Sequence, residues 1–363
     1  MNILREWYHR YSSDPQVVIL ALLLIAGFVV MATLGEMLVP VLVGIIIAYL
    51  LDGLVEKSRK LGAPRLSAVA LVFILFLTFL VFATLWLIPR LWAQLTQLVG
   101  QLPYIIASGQ ELLLQLPVKY PNLFSEQQVT DLIAAIRGDI TALGQQVLSL
   151  SLASVVGLIT LMVYIILVPV LAFFFLKDKQ RILHWFSERL PQERPLANQV
   201  WRDVNLQISN YVRGKVWEIS IVGGVTFVTF SLMGLQYALL LATMVGLSVI
   251  VPYIGAAVVT VPVAIIAWFQ WGWNADFGWL LFAYGVIQAL DGYLLVPLLF
   301  SEVVDLHPVA IIIAILVFGG LWGFWGVFFA IPLATLVQAV IKAWPMKFRD
   351  DQEGKPVVAG GNE

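Results

Sequence analysis

Asp291 offers the sharpest chemistry in this sequence. It stands near the middle of an apolar run, 279–300. An ionisable group inside a membrane costs from about 2.5 kcal/mol upward, so a chain keeps one where it is used. Gln288 lies three residues before it and Tyr284 four before that, which sets all three on one helical face. A carboxylate beside an amide and a phenol can bind a cation or polar solute, or take up and release a proton. Its plainer role is a hydrogen bond to a neighbouring helix that fixes packing. The other charges sit less deeply. Asp52, Glu36 and Glu218 fall at span ends, where interfacial water can solvate them. Glu302, Asp305 and His307 occupy a short loop expected on the outer side. Histidine is the side chain suited to switching charge at physiological pH, so His307, with Asp305, is a candidate proton-linked switch, although a histidine before Pro308 also makes a helix cap. Arg213 joins them as a candidate gating residue.

Glycine and proline spacing adds a second set of candidates. Pro252, Tyr253 and Gly255 are followed by Pro262, and Gly323 and Gly326 are followed by Pro332. Broken helices at matching positions of two repeated units point to a transporter's binding site, because freed backbone groups there line a cavity. Close helix packing through Gly319 and Gly323, spaced as G-x-x-x-G, explains part of the same pattern.

The elements that must position these residues are membrane helices. Of 363 residues, 61% are hydrophobic and 12% charged, and the mean hydropathy is +0.92. Soluble domains carry about 25% charged residues. The fold class is therefore all-α and polytopic. The spacing predicts about eight spans, at 17–34, 37–54, 66–89, 152–176, 216–236, 238–270, 279–300 and 308–343. The first two are joined by a tight hairpin at Gly35-Glu36. The stretches 238–270 and 308–343 would each run to about 50 Å as straight helices, so each must be tilted, broken or re-entrant. Eighteen of the twenty-one lysines and arginines fall in the N-terminal segment, the loop after span two, the segment 177–215 and the tail. Positive residues collect on the cytoplasmic side, which predicts a multi-pass protein of the bacterial inner membrane with both termini cytoplasmic.

The organisation follows from the spans. Residues 1–89 hold a cytoplasmic N-terminal segment and spans one to three; Val17 to Leu34 is too long for a signal-peptide core. Residues 90–150 are rich in glutamine, with Leu91, Leu95 and Leu98 at helical spacing, and predict an outer insertion of a few amphipathic helices punctuated by Pro103, Pro117 and Pro121. Residues 151–343 hold the remaining spans. Within them, 177–215 carries Trp201, Val204, Ile208 and Tyr211 on one face and predicts a helix lying at the membrane surface. Residues 344–363 predict a disordered cytoplasmic tail.

Several functions find no residues to carry them. Neither a phosphate-binding G-x-x-x-x-G-K-[ST] loop nor G-x-S-x-G or H-E-x-x-H occurs. The chain has no cysteine, and His9, His184 and His307 are far apart, which argues against a metal site. A net charge of -1 without a basic patch argues against nucleic acid. The reading is a non-enzyme without cofactor, in contact with membrane lipid and a small-molecule or ion substrate. Coupling to H+ or Na+ would run through Asp291, and the glycine- and tryptophan-rich last span offers surface for homo-oligomerisation.

Three stretches then carry a family resemblance: Ser248 to Gly255 (SVIVPYIG), Gln288 to Pro297 (QALDGYLLVP), and Leu306-His-Pro308 with the glycine-rich sequence through Pro332. With Pro40 to Leu51 and Tyr211-Val-Arg-Gly214 they resemble the AI-2E family of bacterial transporters, the PerM-like permeases. The resemblance spans nearly the whole chain. It implies an inner-membrane protein of about eight spans that moves small solutes. Export of the quorum-sensing signal autoinducer-2 is proposed for some members, and others resemble sodium(lithium)/proton antiporters. A non-transporting membrane scaffold is the third expectation. Two positions depart from the family pattern: Gly292 and Asp52 stand where asparagine is usual.

Overall fold

A computed structural model describes residues 15–343 except 120–124, 126, 132, 136–137, 139–154, 192–194, 253 and 301–305. The expectations for the first fourteen residues, for the end of the outer insertion, for Tyr253, Glu302 and Asp305, and for the 344–363 tail lie outside the described residues. The elements are α1 (Pro15–Lys60), α2 (Arg65–Phe82), α3 (Ile88–Lys119), α4 (Val155–Arg189), α5 (Pro195–Leu232), α6 (Ala238–Ser248), α7 (Ile254–Trp271), α8 (Ala275–Leu290), α9 (Val296–Phe300), α10 (Pro308–Phe328) and α11 (Ala330–Ala343). No strand occurs among the described residues. Among the described residues, seven stretches are long and apolar enough to cross a membrane. Leu71, Ile74, Leu75 and Phe79 of α2 face outward, as a lipid-facing surface requires.

Four local expectations are corrected. The hairpin at Gly35-Glu36 is absent, and both residues lie inside the 46-residue α1. In hydrocarbon a turn leaves backbone groups unpaired at several kcal/mol each, whereas glycine within a helix costs about 1 kcal/mol. The sidedness of the N-terminus therefore no longer follows from a two-span hairpin. Pro103 and Pro117 do not break the insertion into separate helices here, because both lie within α3. The segment 177–215 is no separate surface helix. It is the end of α4, kinked at Asp178 (φ -101°, ψ 15°), and the start of the 38-residue α5. The face from Val204 to Tyr211 meets protein, since Val200 and Val204 pack with Leu20, Leu336, Ala339 and Val340. Finally, Gly323 is on no helix face, for reasons given below.

Among the described residues, two five-residue π-helical turns interrupt the apolar helices, at Ala83–Leu87 and Asp291–Leu295. Each begins six residues before a proline, Pro89 and Pro297. Proline has no N–H for the carbonyl four residues back and its ring crowds that carbonyl. The helix answers by widening one turn, so that Ile88 N–H donates to Ala83 O and Val296 N–H to Asp291 O.

The chain forms two compact units, one of residues 1–38, 180–212 and 300–363, the other of 39–179 and 213–299. In the second, α5 to α8 share a core of Phe230, Leu241, Val245, Val263, Ala267, Leu280 and Tyr284. Leu51, Val55, Val69, Val72 and Leu176 make a separate core between α1, α2 and α4.

Candidate functional site

Both over-long stretches are broken by a reversal, one in each unit. In the first, Pro252 lacks the N–H that would pair with the Ser248 carbonyl, so α6 ends and Val251 N–H takes that oxygen at 3.0 Å. The chain turns over 249–252 and returns as α7. A Cβ on Gly255 would overlap the Ser248 carbonyl oxygen, so only glycine lets the two arms close. The open end is stapled: Gln270 Oε1 accepts from Gln236 N–H at 2.7 Å and its Nε2 donates to Gly234 O at 2.7 Å. Gln94 of α3 caps α6 by accepting from Leu240 N–H at 2.8 Å. The stretch 238–270 is thus a closed hairpin with both ends on one side.

The second reversal belongs to the other unit. Trp322 (φ -130°, ψ 15°) and Gly323 (φ 58°, ψ -135°) leave helical geometry, and the left-handed φ is why glycine stands there. A Cβ on Gly326 would overlap the Phe318 carbonyl oxygen, repeating the contact between Gly255 and Ser248. Pro332 strips the N–H partner from Phe328 O, and the Tyr211 hydroxyl donates to that oxygen at 3.1 Å. The repeated glycine and proline pattern therefore encodes two hairpins of one design. The G-x-x-x-G reading gives way, because Gly319 packs on Val327 within its own hairpin.

Within the 39–179 and 213–299 unit, α5, α8 and the first hairpin bring polar groups together. Tyr284 is buried and ties α8 to the hairpin: its hydroxyl accepts from Thr260 Oγ1 at 3.2 Å and donates to Ala256 O at 3.4 Å. One and two turns on, Gln288 Nε2 and Asp291 Oδ1 are buried with no hydrogen-bond partner among the described residues. Asp291 opens the π-helical turn, where the wider coil frees its carboxylate from the regular helical register.

Lys215 and Glu218 complete the cluster, and sequence reasoning missed both. The positive-charge distribution assigns Lys215 to the cytoplasmic side, and the span boundary puts Glu218 in interfacial water. Instead they form an ion pair at 2.6 Å with side-chain exposures of 4% and 3%. The reason is that α5 continues through both positions without a break. Lys215 Nζ also donates to Val249 O at the hairpin tip, at 2.9 Å. Asp291 lies within electrostatic range of both. The legible signal was opposite charge at i, i+3 beside an apolar run.

The remaining candidates are elsewhere. The Arg213 guanidinium lies across Gly53, where a Cβ would sit 3.3 Å from Nε. Nearby on α1, Asp52 pairs with Lys179 at 3.0 Å, both partly exposed. Gly323, Gly326 and Pro332 stay with the second hairpin. His307 caps α10 by accepting from Val309 N–H at Nδ1, 3.3 Å.

Two broken apolar hairpins, the first of them set against buried charges, in a helical chain built for a membrane, define a membrane transport protein. The chain belongs to the AI-2E family transporters, whose family profile matches residues 18–346. It is 46% identical over 346 residues to the "Putative permease PerM" of Escherichia coli (strain K12), covering 95% of this chain and 98% of that protein. It is 28% identical over 305 residues to the "Putative transport protein YueF" of Bacillus subtilis (strain 168), covering 83% and 82%. Against the "Putative transport protein sll0063" of Synechocystis sp. identity is 25% over 358 residues, covering 94% and 88%.

Proposed function

We propose that this protein is a secondary transporter of the bacterial inner membrane, with autoinducer-2 as its small solute and both termini cytoplasmic. The observation that carries the reading is the pair of unmet polar groups, Gln288 Nε2 on α8 and Asp291 Oδ1 at the start of the π-helical turn that follows it, both buried. An unsatisfied buried polar atom costs about 1–3 kcal/mol, and a polar solute that pairs with both recovers that cost. The first hairpin acts as a re-entrant element. At 1.5 Å per residue its 11-residue arm α6 reaches about 17 Å, short of the ~30 Å hydrocarbon layer. Its tip then stops at membrane depth, where a solute site belongs. Coupling runs through the Asp291 carboxylate, which exchanges a proton as the solute passes.

The test uses proteoliposomes loaded with autoinducer-2 and a trapped pH dye. Efflux driven by an imposed pH gradient, with co-movement of protons, is expected from the wild type. Asp291→Asn is expected to lose gradient-driven efflux by at least tenfold while remaining folded. Undiminished gradient-driven efflux in that variant overturns the mechanism. Absence of efflux from wild-type vesicles that do release protons on addition of sodium or lithium overturns the assignment of the solute.

A further inference from the structure

The 11-residue α6 ends at Ser248 and is capped by Val249, three residues before Pro252, with backbone carbonyls its own helix cannot pair. A helix C-terminus carries about half a negative charge. Freed carbonyls at such half-helix ends are the groups with which membrane transporters hold sodium or protons. Here a side chain of the same unit stands at that end. Lys215 Nζ is 2.9 Å from Val249 O and 2.6 Å from Glu218 Oε2. Glu218 is 2% exposed, and the Lys215 ammonium is the charge its carboxylate meets. Asp291 adds a second carboxylate within electrostatic range of the ammonium. A carbonyl oxygen and a carboxylate oxygen around one compact positive charge, shut off from water, are the surroundings of a small monovalent cation.

We propose that Lys215 is a built-in cation. Its ammonium fills the oxygen-lined position that sodium or potassium would take at the C-terminal end of α6, and it holds the hairpin tip closed without a bound metal ion. Emptying that position makes the protein a binder of small monovalent cations. The inference is independent of which solute the transporter moves, so its test needs none.

The full-length protein in detergent is unfolded thermally, followed by the fluorescence of its 13 tryptophans. The salt is choline chloride, then sodium, potassium or methylammonium chloride at constant ionic strength. The wild type is expected to keep one Tm in all four. Lys215→Ala is expected to have a lower Tm in choline and to recover saturably with a small cation, by about 3 °C or more near 100 times Kd. Lys215→Gln retains a donor for Val249 O without the charge and is expected to respond in the same direction. Adding Glu218→Gln to Lys215→Ala should abolish the response. The proposal is overturned if neither lysine variant responds, if the wild type responds as strongly, or if the response survives the loss of Glu218. It is also overturned if neither lysine variant folds in sodium, since a refilled position would restore the tip.

Discussion

Lys215 and Glu218 are each nearly sealed from water, so removing one strands the charge of the other. Breaking such a buried pair costs about 3–5 kcal/mol, whereas replacing both partners by apolar groups of similar volume is often close to neutral. Glu218→Gln alone is therefore expected to unfold at a clearly lower temperature than the double variant Lys215→Met, Glu218→Leu, both measured in choline chloride. Equal loss in the two would mean that packing, not charge, is what the pair contributes. Tyr211 makes a smaller, separable contribution. Its hydroxyl serves the Phe328 carbonyl that Pro332 leaves without a partner, and its ring is 1% exposed. Tyr211→Phe should cost about 1–3 kcal/mol, the price of one stranded acceptor, read as a shift in thermal unfolding.

At the scale of elements, glycines that look alike in the sequence carry opposite demands. Gly255 and Gly326 sit where a Cβ would overlap a backbone carbonyl across a hairpin. Gly255→Ala and Gly326→Ala are expected to reduce the yield of folded protein severalfold, measured by monodisperse recovery from membranes. Gly35 has open space around it within α1, so Gly35→Ala should leave yield unchanged and raise stability by up to about 1 kcal/mol. Were Gly35 in a turn, the same change would harm. The over-long runs were legible as broken, because Pro252 and Pro332 cannot continue a helix and each run exceeds a membrane's thickness. How they break was not legible. It depends on Gln270 finding Gln236 and Gly234 across the hairpin, contacts with no local signature.

At the scale of the whole molecule, the closed hairpin alters the reading of membrane topology. A simple crossing through 238–270 would carry Trp273 to the side opposite the end of α5. A hairpin whose ends meet returns it to the side of Gln236. The positive charge around Leu61 predicts a cytoplasmic loop there, and Leu61 and Trp273 are 90% and 83% exposed. The native chain has no cysteine, so single cysteines at these two positions can be labelled cleanly. A membrane-impermeant maleimide applied to intact cells, after the outer membrane has been made permeable, is expected to label position 273 and to spare position 61. Labelling of both or neither would mean that the α6–α7 stretch crosses the membrane instead.

By itself the sequence determined the class of protein, because apolar runs of span length follow from bilayer thickness alone. It determined Asp291, Gln288 and Tyr284 as a set, since helical periodicity puts them on one face wherever the helix packs. It also marked both hairpin stretches through glycine and proline, whose limits are local and need no partner. The tertiary structure decided what meets those groups. Whether Gly35-Glu36 turned depended on the cost of an unpaired backbone rather than on residue preference. Whether Lys215 faced the cytoplasm or the tip of α6 depended on α5 continuing past it. The first outcome is set by the bilayer's penalty for unpaired backbone, the second by Lys215 reaching Val249 O across the fold, and no local residue pattern records either.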